Sequence, residues 1–328
     1  MKVKLFKIIT SLIIIIIIYL VYDLDIVRAI KNIRKPGFIL FSLLIPVIVI
    51  PIIVNNRWQL FLKVLGINEK FINLVKINFS TAFLGLLLPS SIGYDAIRIY
   101  KIEQRHKEYK GNGLASVLIE RVLGFYILSF IAIIGGIFCV FNGFSKYLLI
   151  ISIIVNLMIF IIILIFKSKK LFGYFTKIIS VRKIKNKFSD YFNHSYRAIN
   201  TFPLTKVLFQ SVPLILAFQM STVLCAYLIF LSFDINVPFY YHLAFMPLIS
   251  IISIVPISIS GLGLREGGFV FFYNTVGVAS DISFIVGLLY FIILAIFPAF
   301  IGMILFIFDK EKMDDFKTKI ISSKEKEK

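Results

Sequence analysis

The chain has 328 residues, 59% of them hydrophobic, and a formal net charge of +19. Soluble domains are about half apolar, so this composition excludes a single water-soluble globule. The basic excess lies in the gaps between apolar runs, where anionic lipid and the positive-inside bias account for it without nucleic acid.

The first apolar run, Leu12 to Tyr22, follows Lys2, Lys4 and Lys7. Tyr22-Asp23-Leu24-Asp25 comes next in place of a small-residue cleavage site, which predicts a retained span from about Lys7 to Tyr22. A linker with Arg28, Lys31, Arg34 and Lys35 leads to a second span, beginning near Pro36-Gly37 and ending before Asn55. Pro46 and Pro51 inside it predict a kinked helix. Arg57-Trp58 reads as an interfacial anchor, and Gln59 to Lys70 as a basic amphipathic segment on the cytoplasmic surface. Phe71 to Leu88 carries Asn73, Lys76, Asn78, Ser80 and Thr81, so it belongs among other helices and not in lipid.

A break follows at Pro89-Ser90-Ser91-Ile92-Gly93, with Asp95 and Arg98 just beyond it. After a basic linker, Gly113 to Phe141 reads as a long helix that enters with Glu120-Arg121 and holds a flexible Gly135-Gly136 pair. Lys146 to Phe166 is a span. Residues Lys167 to Lys206 carry ten Lys or Arg and one Asp, and Leu171, Phe172, Phe175, Ile178 and Ile179 recur at the spacing of a surface helix. Val207 to Leu231 spans again, and His242 to Val255 leads into a second break, Pro256-Ile257-Ser258-Ile259-Ser260-Gly261-Leu262-Gly263. Arg265 and Glu266 follow it. In both breaks the arginine stands nine residues after the proline. Gly267 to Val278 is half a span, Ile282 to Phe308 is the last span, and the mixed-charge tail 309–328 predicts a solvated, disordered segment.

Placing the basic linkers, both termini and the 167–206 loop on the cytoplasmic face of a cell membrane makes both flanks of the first break cytoplasmic and both flanks of the second break external. The expected fold is an all-α polytopic membrane protein of six full spans with two re-entrant helical hairpins, 71–100 and 242–278, related as an inverted repeat. The Asp23–Lys35 linker is the exception, being external with four basic residues.

Irregular backbone at membrane depth is tolerated where it lines a cavity or is packed in protein. The candidate substrate-binding set is therefore Ser90, Ser91, Gly93, Asp95, Arg98, Glu120, Arg121, Ser260, Gly261, Gly263, Arg265 and Glu266, with Pro89 and Pro256 making the breaks. Helix starts and guanidinium forks favour an anion such as phosphate. Asp95 and Glu266 can neutralise Arg98 and Arg265 when the site is empty. The bland alternative makes the breaks ordinary loops and Glu120-Arg121 a helix-entry ion pair. The single-site reading expects Asp95 and Arg98 to approach Arg265 and Glu266 across a central cavity. His106, His194 and His242 share no ligand spacing, and Cys139 and Cys225 read as small buried hydrophobes, so no metal, cofactor or disulfide is expected.

With Arg57-Trp58, Pro89 and Gly93-x-Asp95-x-x-Arg98, Glu120-Arg121, and Pro256 with Gly261-x-Gly263-x-Arg265-Glu266, the chain resembles the lysylphosphatidylglycerol synthase membrane region, a flippase-like domain. Ser91-Ile92-Gly93 stands where many relatives carry consecutive glycines. The resemblance covers nearly the whole chain and implies one membrane domain over 1–308. It also implies a role like that of the bifunctional members, in which this region moves aminoacylated phosphatidylglycerol between leaflets and a separate soluble domain makes the lipid. Residues 309–328 are too few for such a domain, so lysyl transfer is not expected.

Three functions remain open at this level. The leading one is translocation of an anionic or aminoacylated phospholipid, or of a polyprenyl-phosphate-linked glycan, between leaflets. A membrane transferase acting on a lipid phosphate would use Asp95 or Glu266 as base or metal ligand. A scaffold would recruit a cytoplasmic enzyme through the 167–206 loop, which also suits anionic headgroups.

Overall fold

The computed structural model describes residues 2–87, 91–167, 186–255, 257–258 and 260–308. Among them the regular structure is all helical, with a short 3-10 turn at Lys107–Tyr109 and twelve longer helices: α1 (Lys2–Tyr22), α2 (Ile26–Lys31), α3 (Gly37–Val64), α4 (Phe71–Leu87), α5 (Ser91–Arg105), α6 (Asn112–Phe141), α7 (Lys146–Lys167), α8 (Asn186–Thr201), α9 (Leu204–Ser232), α10 (Phe239–Ser253), α11 (Leu264–Asn274) and α12 (Ser280–Phe308). Five of these, α3, α6, α7, α9 and α12, are long and apolar enough to cross a bilayer. The expected first span is a helix too, but its apolar stretch, Ile9–Tyr22, is shorter. The chain is an all-α membrane protein with several spans. Pro89, Ser90, Pro256, the surface helix read around Leu171 to Ile179 and the tail lie outside the described residues, as does the side chain of Ser91.

Proline shapes α3 without breaking it. A π-helical turn, Ile45–Val49, absorbs Pro46, whose ring removes a backbone donor and crowds the preceding turn. The helix then runs unbroken to Val64, and Phe61, Leu62 and Ile67 are fully buried. The segment from Gln59 is two-sided: Phe61, Leu62 and Ile67 are buried, with Phe61 meeting Phe202 edge-on at 5.8 Å, while Lys63, Asn68 and Lys70 are exposed. A second π turn, Ile292–Ile296, precedes Pro298 in α12.

Helix α6 is the reference against which the rest is arranged. Its Gly135-Gly136 pair is a packing device and not a flexible joint. A Cβ on Gly135 would strike the Ala244 backbone of α10, and one on Gly136 would press on Leu149 of α7 at 3.2 Å. With no side chain in the way, α6 contacts a helix on each side at backbone distance. Gly302 of α12 does the same against the Phe79 carbonyl of α4.

Two helix pairs double back beside α6. In the first, Lys101 Nζ of α5 donates to Ser80 Oγ of α4 at 2.6 Å, and Gly85 faces Tyr94. In the second, Gly268 of α11 packs on Ile249 of α10, and Tyr273 Oη lies 2.6 Å from His242 Nδ1. The open ends of the pairs point opposite ways. Glu103 of α5 accepts from Gly111 and Leu114 at the start of α6, whereas Tyr240 of α10 lies against Cys139 near its end. Both are antiparallel to α6, and continuing each register projects the start of α5 and the end of α10 onto the same turn, near Tyr126.

The ends are tied by charge. Arg34 and Lys35 meet Asp234, with Lys35 Nζ at 2.6 Å, and both their amides donate to Ser232 O. The basic linker that defied the charge rule thus has a carboxylate partner. At the other end Glu69 accepts from Asn73 at 2.6 Å and lies 3.2 Å from His106 and 3.5 Å from Arg105. Burial alone would raise its carboxyl, but those bonds, the Lys70 amide and the Arg105 charge win and hold it below the usual carboxylate range. A carboxyl lowered by folding stabilises fully above its unfolded pKa, and that contribution fades as pH falls through the lowered value.

Three outcomes follow for thermal unfolding in detergent. Gly135→Val should destabilise by roughly 2 kcal/mol or more through forced separation of α6 and α10. Gly124→Ala, where a Cβ meets nothing within 4 Å, should leave the midpoint nearly unchanged. Glu69→Gln should lose stability at neutral pH and show a flatter decline than the parent between about pH 5 and 3.

Candidate functional site: two charged helix breaks

At the first break, three helices bring five charged side chains together. Asp95 and Arg98 stand three apart on α5 and share a face. Ser116 and Glu120 stand four apart on α6, with Arg121 next to them. Arg57 and Trp58 come from the end of α3. The Glu120 carboxylate lies between two guanidiniums: Arg57 Nη2 donates to Oε1, and Arg98 Nη2 donates to Oε2 at 2.8 Å. Arg121 Nε donates to Asp95 Oδ2 at 2.8 Å, while Arg98 Nη1 is 3.9 Å from Asp95 Oδ1. The side chains of Arg57, Arg98 and Glu120 are 6%, 4% and 7% exposed, against 42% for Arg121, so the cluster runs from the interior towards the surface.

Aromatic faces complete the enclosure. The Arg98 guanidinium lies 4.0 Å from the centroid of the Trp58 ring and 5.6 Å from that of Tyr94, and Arg57 lies 5.2 Å from Phe218. Trp58 Nε1 donates to Ser116 Oγ at 3.1 Å. Tyr94 Oη donates to Asn78 Oδ1 at 2.5 Å, and Asn78 Nδ2 donates to Asn55 Oδ1. Three guanidiniums against two carboxylates leave one surplus positive charge. Arg57 Nε, Arg98 Nε and Asp95 Oδ1 are buried with no hydrogen-bond partner among the described residues.

The second break is tighter and less polar. Ser260, Gly261 and Gly263 all have positive φ, at 51°, 79° and 88°. For serine that backbone is strained, and strain of this kind persists where its surroundings hold it. Glycine is required at 261, where a Cβ would lie 2.7 Å from the Ser253 carbonyl, and at 263, where it would meet Ile14 of α1 at 3.0 Å. Helix α11 starts here: Glu266 Oε2 accepts the Gly263 N–H at 2.5 Å. Arg265 Nη2 donates to the Ser260 carbonyl at 2.8 Å, and its guanidinium lies 4.9 Å from the Phe291 ring centroid.

Comparisons with known proteins place the chain in a family. Residues 5–302 match the family model described as the lysylphosphatidylglycerol synthase TM region. The chain belongs to this family. A UPF0104 membrane protein of Methanocaldococcus jannaschii is 23% identical to it over 342 aligned positions, covering 97% of this chain and all of the relative. No solved structure matches it.

Within this family member, Asp95, Arg98, Glu120 and Arg121 meet in one cluster, with Gly93 buried in the first turn of α5. Ser260, Gly261, Gly263, Arg265 and Glu266 form the other. The expected pairings are corrected in three respects. Glu120 and Arg121 do not pair with each other as a helix-entry pair; each bonds to α5. Arg98 is neutralised chiefly by Glu120, with Asp95 turned to Arg121. No ion pair within 4.0 Å joins Arg265 to Glu266 among the described residues, because the Glu266 carboxylate turns back onto the Gly263 amide. Among the described residues no hydrogen bond or ion pair joins the two clusters, and a cavity of about 480 Å³ lined by Phe144, Tyr241 and Val278 sits at the α6–α7 end, away from both.

Arg57 and Trp58 were missed as site residues. Their adjacency suited an interfacial anchor, yet Trp58 is fully buried because its ring covers Arg98 and its N–H finds Ser116. The available signal was Asn55, Asn56 and Arg57 in succession at the end of an apolar helix, which asks for internal partners. Glu120→Gln should destabilise by about 3–5 kcal/mol, since it leaves Arg57 and Arg98 buried without a counter-charge. Arg121→Gln, on the exposed arm, should cost under about 1 kcal/mol. Chemical unfolding of the detergent-solubilised variants measures both, and adding Arg57→Gln to Glu120→Gln should recover part of the loss.

Proposed function

We propose that this protein moves a lipid with an anionic, phosphate-bearing headgroup between the leaflets of the cell membrane, acting as a translocator and not as an enzyme. The observation that carries the reading is the surplus guanidinium charge gathered around Glu120 and Asp95 beside α5. Charge inside a membrane protein is costly and is kept where it handles an ion or a polar substrate. Arginine forks and the open amides of a helix start both favour phosphate. Membership of a family named for lysylphosphatidylglycerol synthase supports a lipid as the cargo, aminoacylated phosphatidylglycerol among the candidates and a polyprenyl-phosphate-linked glycan as the other.

In this reading α4–α5 and α10–α11 are re-entrant hairpins entering from opposite faces as an inverted repeat, with the termini and the basic loop in the cytoplasm. Their opposed open ends, and the common level of their breaks along α6, support that arrangement. The headgroup binds at Arg98, Arg121 and the start of α5 from one face, and at Arg265 and the start of α11 from the other. The carboxylates occupy the arginines while the site is empty, which keeps the charges satisfied between transfers.

Reconstituted vesicles test this with a fluorescent phosphatidylglycerol and a membrane-impermeant quencher. Arg98→Gln and Arg265→Gln should each slow headgroup transfer by at least tenfold while the proteins still elute as folded species. Transfer at the parent rate by both variants would sink the assignment of the breaks. Single cysteines at Asn142 and Lys110 should label from outside and inside the cell, respectively; the reverse pattern would invert the topology.

A further inference from the structure

The second break differs from the first in its charge balance. Around Glu120 every carboxylate is held by a guanidinium, and one positive charge is left over. At the start of α11, one guanidinium and one carboxylate share a closed turn without pairing. Glu266 has no exposed surface, and its Oε1 has no partner among the described residues. Arg265 Nη1 is buried and likewise unpartnered, as is Ser258 Oγ. The turn therefore offers a free cationic donor beside a carboxylate that already occupies the helix-start amide of Gly263.

With Glu266 ionised and the site empty, this turn is neutral. A phosphodiester arriving at Arg265 Nη1 would make it negative in surroundings that strongly disfavour an uncompensated charge. It would also compete with Glu266 for the Gly263 N–H, the natural donor for phosphate at a helix start. One proton on Glu266 resolves both conflicts. The neutral carboxyl no longer needs the amide, and the balance of the site returns to zero.

We propose that Glu266 takes up one proton with each anionic headgroup that binds at Arg265, making transfer through this break an electroneutral proton–anion symport. This rests on the lipid-translocation reading above. The proton enters from the face to which the break is open and leaves with the headgroup at the other face. Among the described residues the neighbouring elements supply no competing base beside Glu266. From α1 come Ser11, Ile14 and Ile18, against Gly263 and Gly267. From α12 come Gly287, packed on the Glu266 backbone, and Tyr290, which interacts with Arg265. His242 of α10 is hydrogen-bonded to Tyr273.

Vesicles of phosphatidylcholine and phosphatidylglycerol containing the full chain and a fluorescent phosphatidylglycerol separate the possibilities, with a pH gradient and a potassium-diffusion potential imposed independently. For the parent protein, the probe should redistribute with the pH gradient, by up to about tenfold per unit for one coupled proton. It should ignore the potential, because no net charge crosses. Glu266→Gln should reverse the pattern, following the potential and ignoring the pH gradient, and Arg265→Gln should lose transfer in every condition. A parent protein that follows the potential and ignores the pH gradient overturns the symport, even if Glu266→Gln cannot be produced. If Arg265→Gln is still inactive in that case, the headgroup site stands and only the proton is lost. No transfer by the parent, or full transfer by Arg265→Gln, overturns the symport and the underlying site together.

Discussion

The placement of Glu120 between Arg57 and Arg98 governs the architecture around the first break. A carboxylate and two guanidiniums removed from water are tolerable only when their geometry satisfies one another. Meeting that condition requires the end of α3, the start of α6 and the middle of α5 to converge. Trp58, Ser116 and Tyr94 then follow as the walls that enclose the guanidinium of Arg98. The same requirement explains why α3 continues through its prolines: without the turns after Pro51, Arg57 would not reach Glu120.

Much of the helical framework was legible from apolar run length, because a segment that must satisfy its own backbone in lipid has few alternatives to a helix. The polar face of Asn78, Ser80 and Thr81 correctly placed α4 among other helices, and all three are buried. The charge-bearing members of both breaks were legible too, since Asp95, Arg98, Arg265 and Glu266 interrupt apolar sequence where charge is expensive. What the sequence could not convey was partnership. Glu120 bonds across 63 positions to Arg57 and across 22 to Arg98, and nothing local distinguishes that from a surface ion pair. Trp58 was misplaced for the same reason: an aromatic beside an arginine reads as an anchor unless the residue it covers is known.

The two breaks solve similar problems by different means. The first relies on long-range ion pairs and aromatic faces, with its charges in excess of neutrality. The second relies on backbone: three positive-φ residues fold the turn so closely that a glutamate can cap the helix that carries it. One is held by side chains from three helices, the other by its own loop, by Ser11, Ile14 and Ile18 of α1 against Gly263 and Gly267, and by Gly287 and Phe291 of α12 against Glu266 and Arg265. The outward side of α1, with Leu12, Ile13, Ile16, Ile17 and Leu20, is exposed, as befits a face turned to lipid.

Helix α6 carries the contacts of both pairs, Arg121 with the first and Gly135 with the second. A single residue added or removed between those positions would turn one half of the helix by about 100° relative to the other and slide it by about 1.5 Å. Either the ion pair to Asp95 or the bare contact with Ala244 would then face the wrong neighbour. The interval from Arg121 to Gly135 is therefore a fixed length. A substitution along it changes one side chain, whereas an insertion or deletion changes which neighbour a whole half of the helix faces.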